Sequence, residues 1–316
     1  MADASMMRRG IERPILVTGS HRSGSTWVGQ MLGASDEVGY IHEPFNIHRG
    51  PGMCRMRFPY WFMYIRPGTE GPVAADFRRL LAFHYNYRAQ LFSIRSSADL
   101  RALVRDGSRF LRFRMRHARP LLKDPMAVFS AEWIAETFDA QVVVIIRHPA
   151  AFASSIKLDG WAHPFSHFVN QPALVEDHLR PFRDEIEAFA HTEHDILEQA
   201  ALLWRLVHGT IAEYRSRHRE WLFVRHEDLS RHPLEGFESL YNSLNLPFTG
   251  PVREAIQRST SSSNSADRDP DGRLFLARDS RANVDNWRRR LTPDEVARVH
   301  SRVADVSQFF YSEEEW

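Results

Sequence analysis

Apolar residues recur along this chain in two rhythms. Short strand-type runs at 15–17, 37–41, 120–123, 141–146 and 221–225 are bounded by turn formers and have the length of buried strands. Between them, apolar positions recur every three to four residues, the period of a helix with one buried face. Residues 26–32 set Trp27, Val28, Met31 and Leu32 on such a face, residues 130–138 set Trp133, Ile134 and Phe138, and a helix over 150–158 follows the most strand-like run. The longest stripe runs from Ile196 through Trp204 to Tyr214, roughly five turns. Further helices are expected over 77–91, over 97–107 with Ser97 as N-cap, over 234–244, and from a Thr292-to-Glu295 capping box onward. Strands alternating with helices predict an α/β fold: a central, mostly parallel sheet flanked by helices.

Four stretches break the rhythm. Residues 45–71 interleave Phe58, Tyr60, Trp61, Phe62 and Tyr64 with prolines and glycines, a pattern that suits either an acceptor-binding flap or a satellite cluster under a long loop. Residues 160–183, rich in His, Pro and Phe, read as a loop with short helical pieces. In 109–119, arginines 112, 114 and 116 alternate, which puts all three on one side if the segment is extended. That strip is either a solvated edge or an attraction for an anionic polymer, with no nucleic-acid motif beside it. Residues 259–272 have the composition of a mobile loop.

With 316 residues, 43% hydrophobic and 26% charged, the chain has enough material for a large core, and a net charge of +1 gives no overall field calling for nucleic acid or an anionic membrane as partner. A single cysteine, Cys54, excludes an internal disulfide framework and gives no support for a cysteine metal site. His163 with His167 and His191 with His194 have ligand-like offsets but no carboxylate pattern beside them, so no metal is expected. No apolar run reaches transmembrane length, and residues 1–12 lack the apolar middle of a signal peptide. The organisation expected is a disordered tail over 1–12, then one domain over 13–316 with insertions near 45–71 and 160–183.

The candidate chemistry starts at the first strand. Gly19-x4-Gly24-Ser25-Thr26 has the outline of a P-loop, in which backbone N–H groups and a helix N-terminus converge on an anion. Ser25 stands where a nucleotide triphosphatase carries lysine, and Arg22 supplies positive charge from inside the loop instead. Arg22-Ser23-Gly24-Ser25-Thr26-Trp27 resembles the 5′-phosphosulfate-binding loop of sulfotransferases that use 3′-phosphoadenosine 5′-phosphosulfate (PAPS). About 120 residues on, Ile145-Ile146-Arg147-His148-Pro149 with Ser155 resembles the family's second signature, an arginine at a strand end and a serine eight residues later gripping the 3′-phosphate. Arginine offers a two-pronged donor to phosphate, and serine adds a hydroxyl.

The resemblance implies a P-loop-like fold and sulfuryl transfer from PAPS to a hydroxyl, less readily an amine, of a glycan, lipid or small-molecule acceptor. Glu43, at the end of the second strand before Pro44, would be the general base, with Pro44 holding it extended. Lys123 falls in Lys-Asp-Pro where aryl and steroid enzymes of the family read Lys-Thr-His. The family's histidine base is therefore missing, and the base role shifts to Glu43. Arg22 and Lys123 would offset charge on the sulfuryl oxygens. Ser23, Gly24, Ser25 and Thr26 would cradle the 5′-phosphate, Trp27 would lie against adenine, and Arg147, Ser155 and Arg281 would hold the 3′-phosphate. Arg281 matches by standing six before Trp287, though the family's flanking glycines are absent. Relatives working in secretory compartments usually carry an anchor, so a chain without one suggests the cytoplasm. Two rivals remain: a nucleotide or small-molecule kinase, and a non-catalytic protein that binds adenosine bisphosphate or an anionic glycan.

Overall fold

The computed structural model describes residues 13–261, 264 and 279–316, so the tail expected over 1–12 and most of the loop expected over 259–272 lie outside the described residues. Five strands, β1 (Ile15–Gly19), β2 (Val38–His42), β3 (Arg119–Lys123), β4 (Gln141–Ile146) and β5 (Leu222–Arg225), form one sheet in the order β2-β3-β1-β4-β5. Every pairing is parallel: Val17 lies opposite Lys123 on one side and Val143 on the other. Helices cover both faces, so the α/β reading holds.

Alternation along the strands explains why both faces are buried. Ile15 and Val17 pack into one apolar cluster and Leu16 into the other; Val143 and Ile145 join the first, Val142, Val144 and Ile146 the second. The helix Ser25–Leu32 sits on the first face. On the second, Ile196–Arg217 is the long central helix, with Trp204 and Tyr214 fully buried. β1 lies at the point where the chain, having filled one side of it with β3, crosses to β4 on the other. In open parallel sheets that switch point opens a ligand crevice at the strands' carboxyl ends.

Three sequence expectations fail locally. The helix expected over 77–91 is two, Pro72–Leu81 and Tyr87–Phe92. Phe83 takes a φ of +53, and the Asn86 side chain caps the second helix by accepting the Ala89 N–H at 3.2 Å. Residues 109–115 are not extended but complete the helix Ser97–Met115, so Arg112 and Arg114 do not share a side and Arg116 follows as the C-cap. The cause is a strong start: Ser96, not Ser97, is the N-cap, in a reciprocal box with Asp99, and Leu103, Gly107 and Phe110 keep one helical face buried. The stretch 45–71 packs inward, with Phe45 stacked on Phe58 at 4.3 Å and Phe62 buried. It is tied to 160–183 through Tyr64 N–H to Gln171 Oε1 at 2.8 Å and Tyr64 hydroxyl to Asp177 at 2.8 Å.

Candidate active site

Because the strands are parallel, their carboxyl ends open on one rim, and each leads into polar residues there. β1 runs into residues 20–24, β2 ends in His42 and Glu43, β3 in Lys123 and Asp124, β4 in Arg147, and β5 in His226. The loop after β1 is tightly turned: Arg22 has a φ of +62 and Gly24 a φ of +92. A side chain at Gly24 would place its Cβ 2.4 Å from the His226 ring, so only glycine fits this turn.

Segments far apart in sequence meet at this loop. Arg22 Nε donates to Ser155 Oγ at 2.9 Å, and its Nη2 lies 3.3 Å from Asp159. The Arg147 guanidinium donates to the Arg22 carbonyl oxygen. Arg147 is held from behind, its carbonyl accepting Trp204 Nε1–H at 2.9 Å. The next residue is fixed as well: His148 N–H donates to Glu227 at 2.9 Å, and the Tyr311 hydroxyl donates to the other oxygen of that carboxylate at 3.0 Å. The hydroxyls of Ser20, Ser23 and Ser154 are buried around this junction without a hydrogen-bond partner among the described residues. Leaving such groups unmet costs roughly 1–3 kcal/mol each.

A second cluster forms at the ends of β2 and β3. The fully buried Lys123 Nζ donates to Glu43 Oε1, and Asn46 Nδ2 donates to Oε2 at 3.0 Å. Burial alone would raise the Glu43 carboxyl, but the Lys123 ammonium, His42 and these hydrogen bonds outweigh it and hold the group well below the usual carboxylate range. Burial lowers Lys123, with Glu43 opposing. The backbone of Glu43 is not extended as Pro44 led us to expect: its φ is +47. Its N–H is taken by the Lys123 carbonyl at 2.8 Å and its carbonyl by Asn46 N–H at 3.2 Å and Arg49 Nε at 3.3 Å, so the chain turns there.

The remaining candidates are placed as follows. Ser25 and Thr26 open the helix behind the loop. Trp27 is nearly buried, edge-on to Phe237 at 5.1 Å and to His226 at 5.9 Å, with Nε1–H directed at Ser259 Oγ, 3.3 Å away. Arg281 lies exposed on the short helix Ser280–Val284, where its Nε donates to the Arg231 carbonyl at 3.1 Å. The geometry therefore joins Arg22, Arg147 and Ser155 directly and pairs Glu43 with Lys123.

Sequence reasoning missed His21, Asp124 and Arg49. His21 is packed against Phe62, Phe152 and Trp161, and burial with Arg22 nearby lowers its imidazole to about 3. Asp124 is fully buried and raised to about 7 by burial; it accepts Phe45 N–H at 2.6 Å and Met126 N–H at 2.9 Å, which anchors the turn after Glu43. The Lys-Asp-Pro string held a signal for Asp124, since aspartate before proline commonly caps a following turn. Nothing local singled out Arg49. Among the described residues no group of three or more His, Cys, Asp or Glu side chains is placed to hold a metal ion.

A model of the sulfotransferase family matches residues 14–250. A mouse (Mus musculus) protein named carbohydrate sulfotransferase 3 is 23% identical over 330 residues, covering 88% of this chain and 63% of that protein, so the chain spans less than two-thirds of the curated relative's length. Among solved structures, a sulfotransferase domain from the curacin biosynthetic pathway has a TM-score of 0.47 at 15% identity, covering 92% of this chain and 97% of the other. A mouse sulfotransferase complexed with PAP has a TM-score of 0.46 at 12% identity, covering 97% and 87%.

Proposed function

The chain belongs to the sulfotransferase family, and from that premise we propose that it transfers a sulfuryl group from PAPS to a hydroxyl on a glycan or small-molecule acceptor. The observation that carries the donor assignment is the junction of Arg147, Arg22 and Ser155 beside buried, unmet serine hydroxyls. The donor supplies an activated sulfuryl group on a 5′-phosphate. In this reading the N–H groups of the loop, with Ser23, Gly24, Ser25 and Thr26, hold that phosphate at the helix N-terminus. Arg147 and Ser155 hold the 3′-phosphate, joined by Arg281 on the strength of its offset from Trp287, and Trp27 borders the adenine.

Arg22 and Lys123 neutralise charge that builds on the sulfuryl and leaving oxygens as the acceptor oxygen attacks in line. Glu43, ionised at neutral pH, takes the acceptor proton. Its pairing with Lys123 makes it a weak base at rest. As Lys123 turns toward the sulfuryl oxygens, the carboxylate loses its counter-charge and gains basicity. The glycan acceptor is favoured by the mouse relative, which is named a carbohydrate sulfotransferase. The test is transfer of label from radioactive PAPS across a panel of hydroxylated glycans, lipids and metabolites. Label transfer with no ATP turnover supports the reading; ATP turnover without label transfer supports a kinase instead.

A further inference from the structure

Seven of the ten large hydrophobic side chains exposed among the described residues lie between residues 87 and 115. Tyr87, Leu91 and Phe92 belong to the helix Tyr87–Phe92, and Leu100, Val104, Leu111 and Met115 to Ser97–Met115. On the long helix those four fall within roughly 60° of arc. They lie beside the face that Leu103, Gly107 and Phe110 bury, not on it. Phe92 is 78% exposed and Met115 73%. The two helices are fastened together, the Tyr87 hydroxyl donating to the Gly107 carbonyl at 2.8 Å.

Arginine lines the same surface. Residues 87–116 hold eight arginines, two aspartates and neither lysine nor glutamate, a formal surplus of six positive charges in a chain whose total is +1. Asp99 is engaged by Ser96 in the capping box, and Asp106 pairs with Arg105 and Arg109. The guanidinium groups of Arg88, Arg95, Arg101, Arg112, Arg114 and Arg116 have no carboxylate partner among the described residues, the Asp99 carboxylate meeting Arg95 only at its backbone N–H. Arg101, Arg105 and Arg112 follow the apolar stripe along its outer side, at about 100–140° on the same wheel.

We propose that this two-helix face docks on the surface of a bilayer containing anionic lipid. Charge decides among occupants: a second copy of the chain would set one sixfold positive surplus against another, and a nucleic acid would leave Phe92 and Met115 in water. A lipid interface meets both demands. Apolar side chains enter the acyl boundary, while arginine stems lie along it and carry the guanidinium groups to headgroup phosphates. On its inner side the long helix rests on the sheet, with the Phe113 ring against Gly39 of β2, the strand that leads to Glu43. This docking stands or falls independently of the donor assignment.

The full chain is sedimented with vesicles of phosphatidylcholine alone and of phosphatidylcholine with phosphatidylglycerol. Binding at least about tenfold tighter to the anionic vesicles, weakening with salt, is expected. Leu111→Glu with Phe92→Ser, and separately Arg101→Glu with Arg112→Glu, should each lower partitioning by about tenfold or more while melting as the parent does. No partitioning, equal partitioning into both vesicles, or variants that bind as the parent overturn the proposal. A dimer seen by light scattering without vesicles and dissociated by Leu111→Glu overturns it too, because a second copy would then cover the face.

Discussion

Glu43 combines a left-handed backbone with a charge pair to a fully buried lysine. Such a conformation at a residue other than glycine costs about 1–3 kcal/mol, and it persists because neighbours over-determine it. Here the Lys123 carbonyl takes the Glu43 N–H, Arg49 donates to the carbonyls of His42 and Glu43, and Asp124 pins Phe45. The strain fixes the carboxylate at the end of Lys123. Glu43→Gln keeps the shape and the hydrogen bond from Lys123 but removes the proton acceptor. We expect it to lower kcat by about 10²–10⁴-fold while leaving affinity for adenosine 3′,5′-bisphosphate within about twofold. Steady-state kinetics beside calorimetry check this; turnover near the parent's would assign the base to another group.

At the scale of elements, the turn between β1 and its helix depends on one residue without a side chain. Gly24→Ala must accept a φ of +92 and a Cβ 2.4 Å from the His226 ring, so His226 or the loop has to move. We expect a loss of about 2–4 kcal/mol in urea unfolding, with weaker nucleotide binding, and an unchanged midpoint would contradict this. This loop was legible because glycine spacing and an apolar run are local signals. The strands were legible for the same reason: Val142, Val143, Val144, Ile145 and Ile146 are buried on both faces of a sheet and therefore unbroken in sequence. Arginines 112, 114 and 116 misled because alternation at three exposed positions says nothing when the buried face is set by Leu103 and Phe110. The backbone of Glu43 was illegible because hydrogen bonds from the Glu43 and Phe45 N–H groups to Lys123 and Asp124, about 80 residues away, override the preference before proline. His21 and Arg49 became visible only once Phe62, Trp161 and the end of β2 came together around them.

At the scale of the molecule, the interior holds many uncharged imidazoles. Burial, with smaller charge effects, lowers His21, His148 and His208 to about 3, His42 to about 4 and His163 well below its ordinary value. Between about pH 6.5 and 4 the unfolded chain binds protons at these sites that the native chain refuses, so stability falls as pH falls. Each fully counted group contributes about 1.4 kcal/mol per pH unit. Asp124, raised to about 7, and Glu227, also raised by burial, act in the opposite sense, because the native state keeps their protons where the unfolded state releases them. The imidazoles outnumber them. A melting temperature several degrees lower at pH 5 than at pH 7 is expected by calorimetry, and a flat or rising value toward acid would contradict the balance.

The parallel sheet brings together residues more than a hundred positions apart: β1 and β4 are neighbours whose carboxyl ends share a rim, so Arg22 and Arg147 meet there, where the proposed nucleotide would be held. The direct measurement is calorimetric titration of adenosine 3′,5′-bisphosphate into the parent chain and into Arg147→Ala. The parent should bind, and the variant should bind about 10–100-fold more weakly, the worth of a charged hydrogen-bonding group on phosphate. No binding by the parent, or equal affinity in both proteins, would contradict the claim that this junction holds the nucleotide.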